Sequence, residues 1–241
     1  MIKIENVSKT YGKDFVAVDH INLEIKDGEI FGFLGPNGAG KTTTLKMITG
    51  ITNITSGEIF INGKSIKTDD IAAKREFGFV PDNPDVLLRL KGIEYLNFIA
   101  SIYGITKELR EKRIKDLATR FEMTDALGDK IQNYSHGMRQ KMLVIGVLLH
   151  DPAVWILDEP LTGLDPKSSF TLKEMMREHA RSGKTVFFST HVLEVAEKLC
   201  DRIAIIDKGK IIFVGTMEEL KKHSASVQSL ESLFLELTDH E

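Results

Sequence analysis

Gly35-Pro36-Asn37-Gly38-Ala39-Gly40-Lys41-Thr42 constrains the fold more than any other stretch of this 241-residue chain. It fits the pattern G-x-x-x-x-G-K-[ST] at every fixed position. Glycines let a backbone turn tightly and aim its N–H groups inward at an anion. Lys41 adds a mobile positive charge that can reach a β- or γ-phosphate, and Thr42 offers a hydroxyl to Mg²⁺. The apolar run Ile30-Phe31-Gly32-Phe33-Leu34 ahead of the loop reads as a buried strand, and Lys41 to Thr49 reads as a helix. The loop therefore sits at a helix N-terminus, whose partial positive charge favours phosphate. Stripped of that context, the same residues would be a glycine-rich turn that binds nothing.

The remaining composition excludes several classes. A chain of this length forms one large domain, or one domain with an inserted subdomain, and needs no disulfide or metal to hold it. Its only cysteine, Cys200, can form no intrachain disulfide and reads as a half-buried inert thiol in the helical pattern Leu193 to Leu199. The 32 basic and 35 acidic residues leave a net charge of −3, which gives no electrostatic case for nucleic acid. Met1-Ile2-Lys3-Ile4-Glu5 alternates like a strand and lacks the features of a signal peptide. The longest uncharged apolar candidate, Met142 to Leu149, is far shorter than the ~20 residues of a membrane span. The chain is expected to be soluble, with any membrane role supplied by a partner.

Strands with turns are expected over residues 2–34. Gly57 to Gly63 reads as a short strand closed by the Asn62-Gly63 turn, and Phe77 to Val80 as another strand stopped by Pro81. Between residues 85 and 150 the period becomes helical, with Tyr95, Phe98, Ile99 and Ile102, then Ile114, Leu117 and Phe121. Strand–helix alternation resumes with a strand at Val154 to Leu157, a helix at 167–181, a strand at Thr185 to Phe188 and a helix at 192–200. A final hairpin pairs Ile203 to Ile206 with Lys210 to Val214 around Asp207-Lys208-Gly209. The near-continuous apolar strands predict an α/β fold whose mainly parallel sheet is covered on both faces. Val227, Leu230, Leu233, Phe234 and Leu237 predict a C-terminal amphipathic helix within 226–241. The division expected is a catalytic core from 1–84 and 151–225, with a helical subdomain at 85–150.

A second constellation narrows the phosphate-loop reading. The strand Val154 to Leu157 ends in Asp158 and Glu159. A carboxylate at a sheet's C-terminal edge beside a phosphate loop is placed to hold Mg²⁺ through water, and its neighbour to orient or deprotonate an attacking water. A strand ending in a solvated acidic turn is the plainer alternative. Upstream, Tyr134-Ser135-His136-Gly137-Met138-Arg139-Gln140 opens a helix with Ser135 as N-cap. Together with the phosphate loop and the carboxylate pair, it resembles the signature motif of ABC ATPases, usually written L-S-G-G-Q. The resemblance covers nearly the whole chain. Leu164-Asp165-Pro166 resembles the family's D-loop, although Asp165 also reads as a helix N-cap before a first-position proline. His191 falls where the family's switch histidine sits, and residues 85–150 match its helical subdomain. Tyr11 matches the aromatic that stacks on adenine, although it could simply pack between strands.

Departures from the pattern point to a branch of the family. Where a glutamine usually follows the strand ending at Val80, the register gives Asp82, in Pro81-Asp82-Asn83-Pro84. A carboxylate there can meet Mg²⁺ but alters the local charge, and a proline-flanked turn residue remains the other reading. His136 replaces the first signature glycine and Met138 the glutamine. The form Y-S-x-G-M-[RK]-Q is similar to the branch serving exporters with separate membrane subunits, among them drug, bacteriocin and lipid-linked exporters.

The resemblance implies the P-loop NTPase fold of ABC ATPases, with an N-terminal antiparallel β part and an inserted helical subdomain. It implies hydrolysis of ATP with Mg²⁺. Tyr11 and Gly35, Pro36, Asn37, Gly38, Ala39, Gly40, Lys41, Thr42 and Thr43 would bind ATP. Thr42 and Asp158, with Asp82, would hold Mg²⁺, while Glu159, His191, Lys41 and Asp82 would serve catalysis. Two such chains, identical or different, would face head to tail, so that Ser135, Gly137 and Met138 of one close over ATP held by the other. The chain would then work at the cytoplasmic face of the membrane through separate transmembrane permease subunits, docked at Val86 to Tyr103. An ATP-switched interaction module without a transporter, and a small-molecule P-loop kinase, are the competing expectations. The kinase reading leaves the Ser135 motif without a purpose.

Overall fold

The computed structural model describes residues 1–85 and 87–223. The chain starts as an antiparallel hairpin, β1 (Ile2–Tyr11) and β2 (Phe15–Ile25), which turns at Gly12 and pairs Tyr11 with Phe15. A short fully buried strand, β3 (Ile30–Leu34), leads through the glycine loop into α1 (Lys41–Ile48). β4 (Ser56–Ile61) and β5 (Lys64–Ser65) flank Asn62 and Gly63, both at positive φ. That geometry is the two-residue turn the Asn-Gly pair demands. These strands form one antiparallel sheet in the order β2-β1-β4-β5.

The second sheet carries the catalytic candidates. After α2 (Asp70–Glu76) comes β6 (Phe77–Val80), and then α3 (Gly92–Ile102), α4 (Lys107–Arg120) and α5 (His136–Leu148). The chain returns through β7 (Val154–Asp158), α6 (Pro166–Arg181), β8 (Thr185–Thr190), α7 (Leu193–Leu199), β9 (Arg202–Asp207), β10 (Lys210–Gly215) and α8 (Met217–His223). The strand order is β10-β9-β3-β8-β7-β6, parallel except for β10 at the edge.

Alternation along the central strands explains why this sheet is buried on both faces. Phe31, Phe33, Ile156 and Phe187 pack with the N-terminal sheet and α1, while Ile30, Leu157, Val186 and Phe188 pack with α3 to α6. Phe187 packs against both Phe31 and Phe33, with ring centroids 6.1 and 5.6 Å apart. The expected mixed α/β architecture with a mainly parallel core is therefore observed. Cys200 lies against Gly32, and burial pushes its thiol pKa up, in keeping with an inert role. No helix among the described residues is long and apolar enough to cross a membrane.

Several expectations differ from the structure. α2 was not legible because Ala73 is its only buried residue, so no apolar stripe marks it. In α3 the buried face is Tyr95, Leu96 and Ala100, whereas Phe98 and Ile102 are 49% and 61% exposed. Helical periodicity there reports more apolar surface than the core consumes. The expected C-terminal helix within 226–241 lies outside the described residues, as does Val86 of the expected docking segment.

Candidate active site

β3 delivers the glycine loop to the C-terminal edge of the core sheet between β8 and β9. Gly38 and Gly40 have φ of 84° and 110°. A Cβ on Gly40 would come within 2.7 Å of the Ala17 carbonyl, so this position excludes a side chain both sterically and conformationally. Gly40 caps α1 with no side-chain hydrogen bond and no acidic residue follows in the first turn. The helix N-terminus thus remains available to an anion.

Lys41 is 7% exposed, and its Nζ donates to the carbonyls of Gly35 at 2.7 Å and Pro36 at 3.2 Å. Burial lowers its pKa, opposed by the negative charges of Glu159, Asp158 and Asp82. Glu159 Oε1 lies 3.9 Å from the ammonium. A cleft of about 290 Å³ opens here, lined by Pro36, Asn37, Gly38, Gly40, Lys41, Thr42 and Thr43 on one side. Asp82, Glu159, Phe15 and Ala17 complete it. Gly35 and Ala39 belong to the loop but do not line the cleft. Ala39 is buried, and its carbonyl accepts from Gly209 N at 3.0 Å.

Asp158 is 1% exposed at the end of β7, and Ser189 Oγ donates to its Oδ1 at 2.5 Å. The same hydroxyl accepts from Glu159 N at 3.1 Å. A hydrogen bond to a buried charged group contributes about 1.5–3 kcal/mol, so Ser189 is a substantial support for the pair. Glu159 has φ of 47°, a left-handed conformation uncommon for a residue with a side chain and characteristic of functional turns. Its Oε1 lies 2.9 Å from His191 Nδ1, at the exit of β8. The donor set fits Mg²⁺: Thr42 and Asp82 face the cleft, Asp158 adjoins it, and all offer hard oxygen ligands. Among the described residues no group of three or more His, Cys, Asp or Glu is placed to hold a metal ion by itself.

Ser135, Gly137 and Met138 stand apart from this cleft. Ser135 caps α5, its Oγ accepting from Met138 N at 3.3 Å. A Cβ on Gly137 would lie 2.6 Å from the Gly163 carbonyl, so the backbone there approaches too closely for a side chain. His136 covers Gly163 in turn. Asp165 caps α6, accepts from Ser168 N at 2.9 Å and pairs with Lys141 Nζ of α5 at 2.7 Å. The lysine and the capping bonds hold its carboxyl well below the usual carboxylate range.

Tyr11 is not on the cleft wall either. Lys9 Nζ lies 4.8 Å from its ring centroid, and Phe15, 64% exposed, faces the cleft instead. Sequence reasoning missed Phe15, although it is the aromatic that hairpin register sets opposite Tyr11. Ser189 was missed because its partnership with Asp158 depends on the register of β7 and β8, which residue spacing does not reveal.

Comparison with known proteins places these features in context. The ABC transporter family model matches residues 18–162. The chain is 38% identical over 220 residues to the linearmycin resistance ATP-binding protein LnrL of Bacillus subtilis, covering 91% of this chain and 70% of that protein. It is 36% identical over 220 residues to the Nod factor export ATP-binding protein I of Cupriavidus metallidurans, covering 91% and 72%. Among solved structures, an ATP-binding subunit of an ABC transporter superposes with a TM-score of 0.92 at 30% identity over 98% of both chains. The dimeric post-hydrolysis ATP-binding cassette MJ0796, bound to ADP and Pi, gives 0.81 at 27% identity, covering 90% of this chain and 99% of that one.

Proposed function

The chain belongs to the ABC transporter family and is an ABC ATPase, and on that premise we propose that it powers a membrane exporter by closing head to tail on ATP with a second ATPase chain. The observation that carries this reading is the separation of the two motifs. Lys41, Thr42, Asp82 and Glu159 share one cleft, whereas Ser135, Gly137 and Met138 do not reach it. A phosphate loop completed by another molecule's signature helix accounts for both facts, and the dimeric relative supports it.

Each residue then has a chemical task in ATP + H₂O → ADP + Pi. The N–H groups of residues 38–43 and the Lys41 ammonium hold the phosphates, with Lys41 exchanging the Gly35 and Pro36 carbonyls for phosphate oxygens. Thr42 and Asp158, with Asp82, would hold Mg²⁺, which would supply positive charge to offset that of the phosphates. Glu159 accepts a proton from the attacking water, and His191 fixes the carboxylate. Ser189 keeps Asp158 and the Glu159 backbone in register. Phosphoryl transfer depends on positioning and charge stabilisation, so this sparse set suffices.

Transport requires something else to move. Residues 1–84 and 151–225 form the proposed catalytic core, and 85–150 the helical subdomain that meets a membrane subunit. An apolar groove of about 650 Å³ lined by Leu87, Leu88, Leu90 and Phe98 supports a cytoplasmic helix of a permease as its occupant. Similarity to the Nod factor export ATP-binding protein I supports export as the direction. The working place is then the cytoplasmic face of the membrane.

The test is Glu159→Gln, which keeps the side chain's shape and removes the proton acceptor. With ATP and Mg²⁺ this variant should elute as a stable dimer and hydrolyse at least ~100-fold more slowly. Near-normal turnover, or a monomer at saturating ATP, would overturn the reading.

A further inference from the structure

The apolar groove is bonded directly to the segment that leads into the signature helix. Gln132 N donates to Leu88 O at 2.9 Å, Ile131 N to Leu90 O at 2.9 Å, and Gly92 N to Asp129 O at 3.1 Å. Lys91 and Lys130 form an antiparallel bridge within this ladder. One wall of the groove is thereby zipped to the segment that runs into Ser135.

Arg139 closes the arrangement from the helix side. It lies one turn into α5, its backbone N donating to Ser135 O at 3.0 Å. Its Nη1 donates to Asp85 Oδ1 at 2.6 Å and its Nη2 to Gln132 O at 2.9 Å. One guanidinium therefore grips the groove loop and the approach to α5 at once. Asp85 lines the groove, its own N–H fixed by Asn83 Oδ1 at 2.9 Å, while Asp82 just upstream lines the nucleotide cleft. Exposed ion pairs generally contribute little, but a forked guanidinium that is only 23% exposed and joins two segments restrains geometry as well as charge.

We propose that the Asp85–Arg139 pair is a strut that fixes the N-terminus of α5 to the groove loop, making Arg139 a positioning residue for closure of Ser135 over nucleotide. The strut rests on the reading that Ser135 acts on ATP held by a second molecule. It adds that the orientation of α5 is set by the groove loop through this charge pair, and that a contact at the groove alters closure by moving Asp85.

The experiment uses the full chain with Asp85→Lys, Arg139→Glu, Arg139→Lys and the double exchange Asp85→Lys/Arg139→Glu. ATP-driven dimerisation is followed by sedimentation in the Glu159→Gln background, kcat and KM are measured with Glu159 intact, and ATP affinity is measured on monomers. Each single reversal should raise the ATP concentration for half-maximal dimerisation by about tenfold and lower kcat, with monomer ATP affinity unchanged. The double exchange should return to within about threefold of the parent, and Arg139→Lys, which keeps the charge but loses the fork, should fall between. Single reversals that behave like the parent, or a double exchange that recovers nothing while Arg139→Lys is also silent, would overturn the strut. A Glu159→Gln parent that stays monomeric with ATP would instead overturn the closure reading, and the strut with it.

Discussion

His191 Nδ1 lies 2.9 Å from Glu159 Oε1, at the C-terminal ends of β7 and β8, where Ser189 Oγ accepts from the Glu159 backbone N–H. The carboxylate is thus oriented by an imidazole, a hydroxyl-anchored backbone and a nearby ammonium. Replacing His191 with Ala removes the contact that fixes the carboxylate without touching the phosphate loop. Turnover should fall about 100-fold while ATP affinity stays within about twofold, measured by steady-state phosphate release and by nucleotide titration. An unchanged kcat would remove His191 from the site.

Adenine recognition should depend on Phe15 more than on Tyr11. Phe15 lines the cleft, whereas Lys9 sits over the Tyr11 ring. Stacking of a base on an aromatic ring contributes about 1–3 kcal/mol, so Phe15→Ala should weaken ATP binding by about tenfold. Tyr11→Ala should leave it nearly unchanged. Titration with a fluorescent ATP analogue compares the two, and the reverse order would return the stacking role to Tyr11.

The close approach of Gly137 to Gly163 gives a packing prediction. A methyl at Gly137 would press on the Gly163 carbonyl, and Gly163 itself has φ of 76° beneath His136. Overpacking of this kind costs about 1–3 kcal/mol. Gly137→Ala should therefore lower the thermal midpoint by several degrees and depress hydrolysis while sparing ATP binding by the monomer. Scanning calorimetry showing no change would mean the contact relaxes freely.

Acid should weaken the fold through two imidazoles, the half-buried His150 and the buried His179. His150 stacks on Tyr103 at 3.6 Å and His179 on Trp155 at 4.1 Å. Burial lowers each pKa from 6.5 to about 4. Between those values the unfolded chain binds more protons than the folded one, so stability present above pH 6.5 is lost as pH falls toward 4. The thermal midpoint should drop between pH 7 and 5, and the drop should shrink in His150→Gln/His179→Gln. An equal drop in that variant would assign the acid sensitivity to other groups.

Much of this protein was legible because its strongest constraints are local. The glycine loop needs its residue types in consecutive order, and the buried strands β3, β7 and β8 announce themselves as apolar runs. What escaped depends on register or on surplus surface. Ser189 meets Asp158 only through strand pairing, and Phe15 meets the cleft only through the hairpin. Phe98 and Ile102 keep helical spacing but are exposed, Phe98 lining the groove, so periodicity overstated the core. Asp82 shows the converse. Its register position competed with a proline-flanked turn reading, and the structure places it on the cleft lining.

The central claim is that Gly35 to Thr42 form half of a site and that Ser135 completes the site of another molecule. The most direct measurement is ATP affinity and hydrolysis of Ser135→Arg on the same preparation. ATP affinity of the isolated chain should stay within about twofold of the parent while hydrolysis is lost, because Ser135 does not line the chain's own nucleotide cleft. Loss of ATP affinity in parallel with hydrolysis would contradict the account, since Ser135 would then act within its own chain.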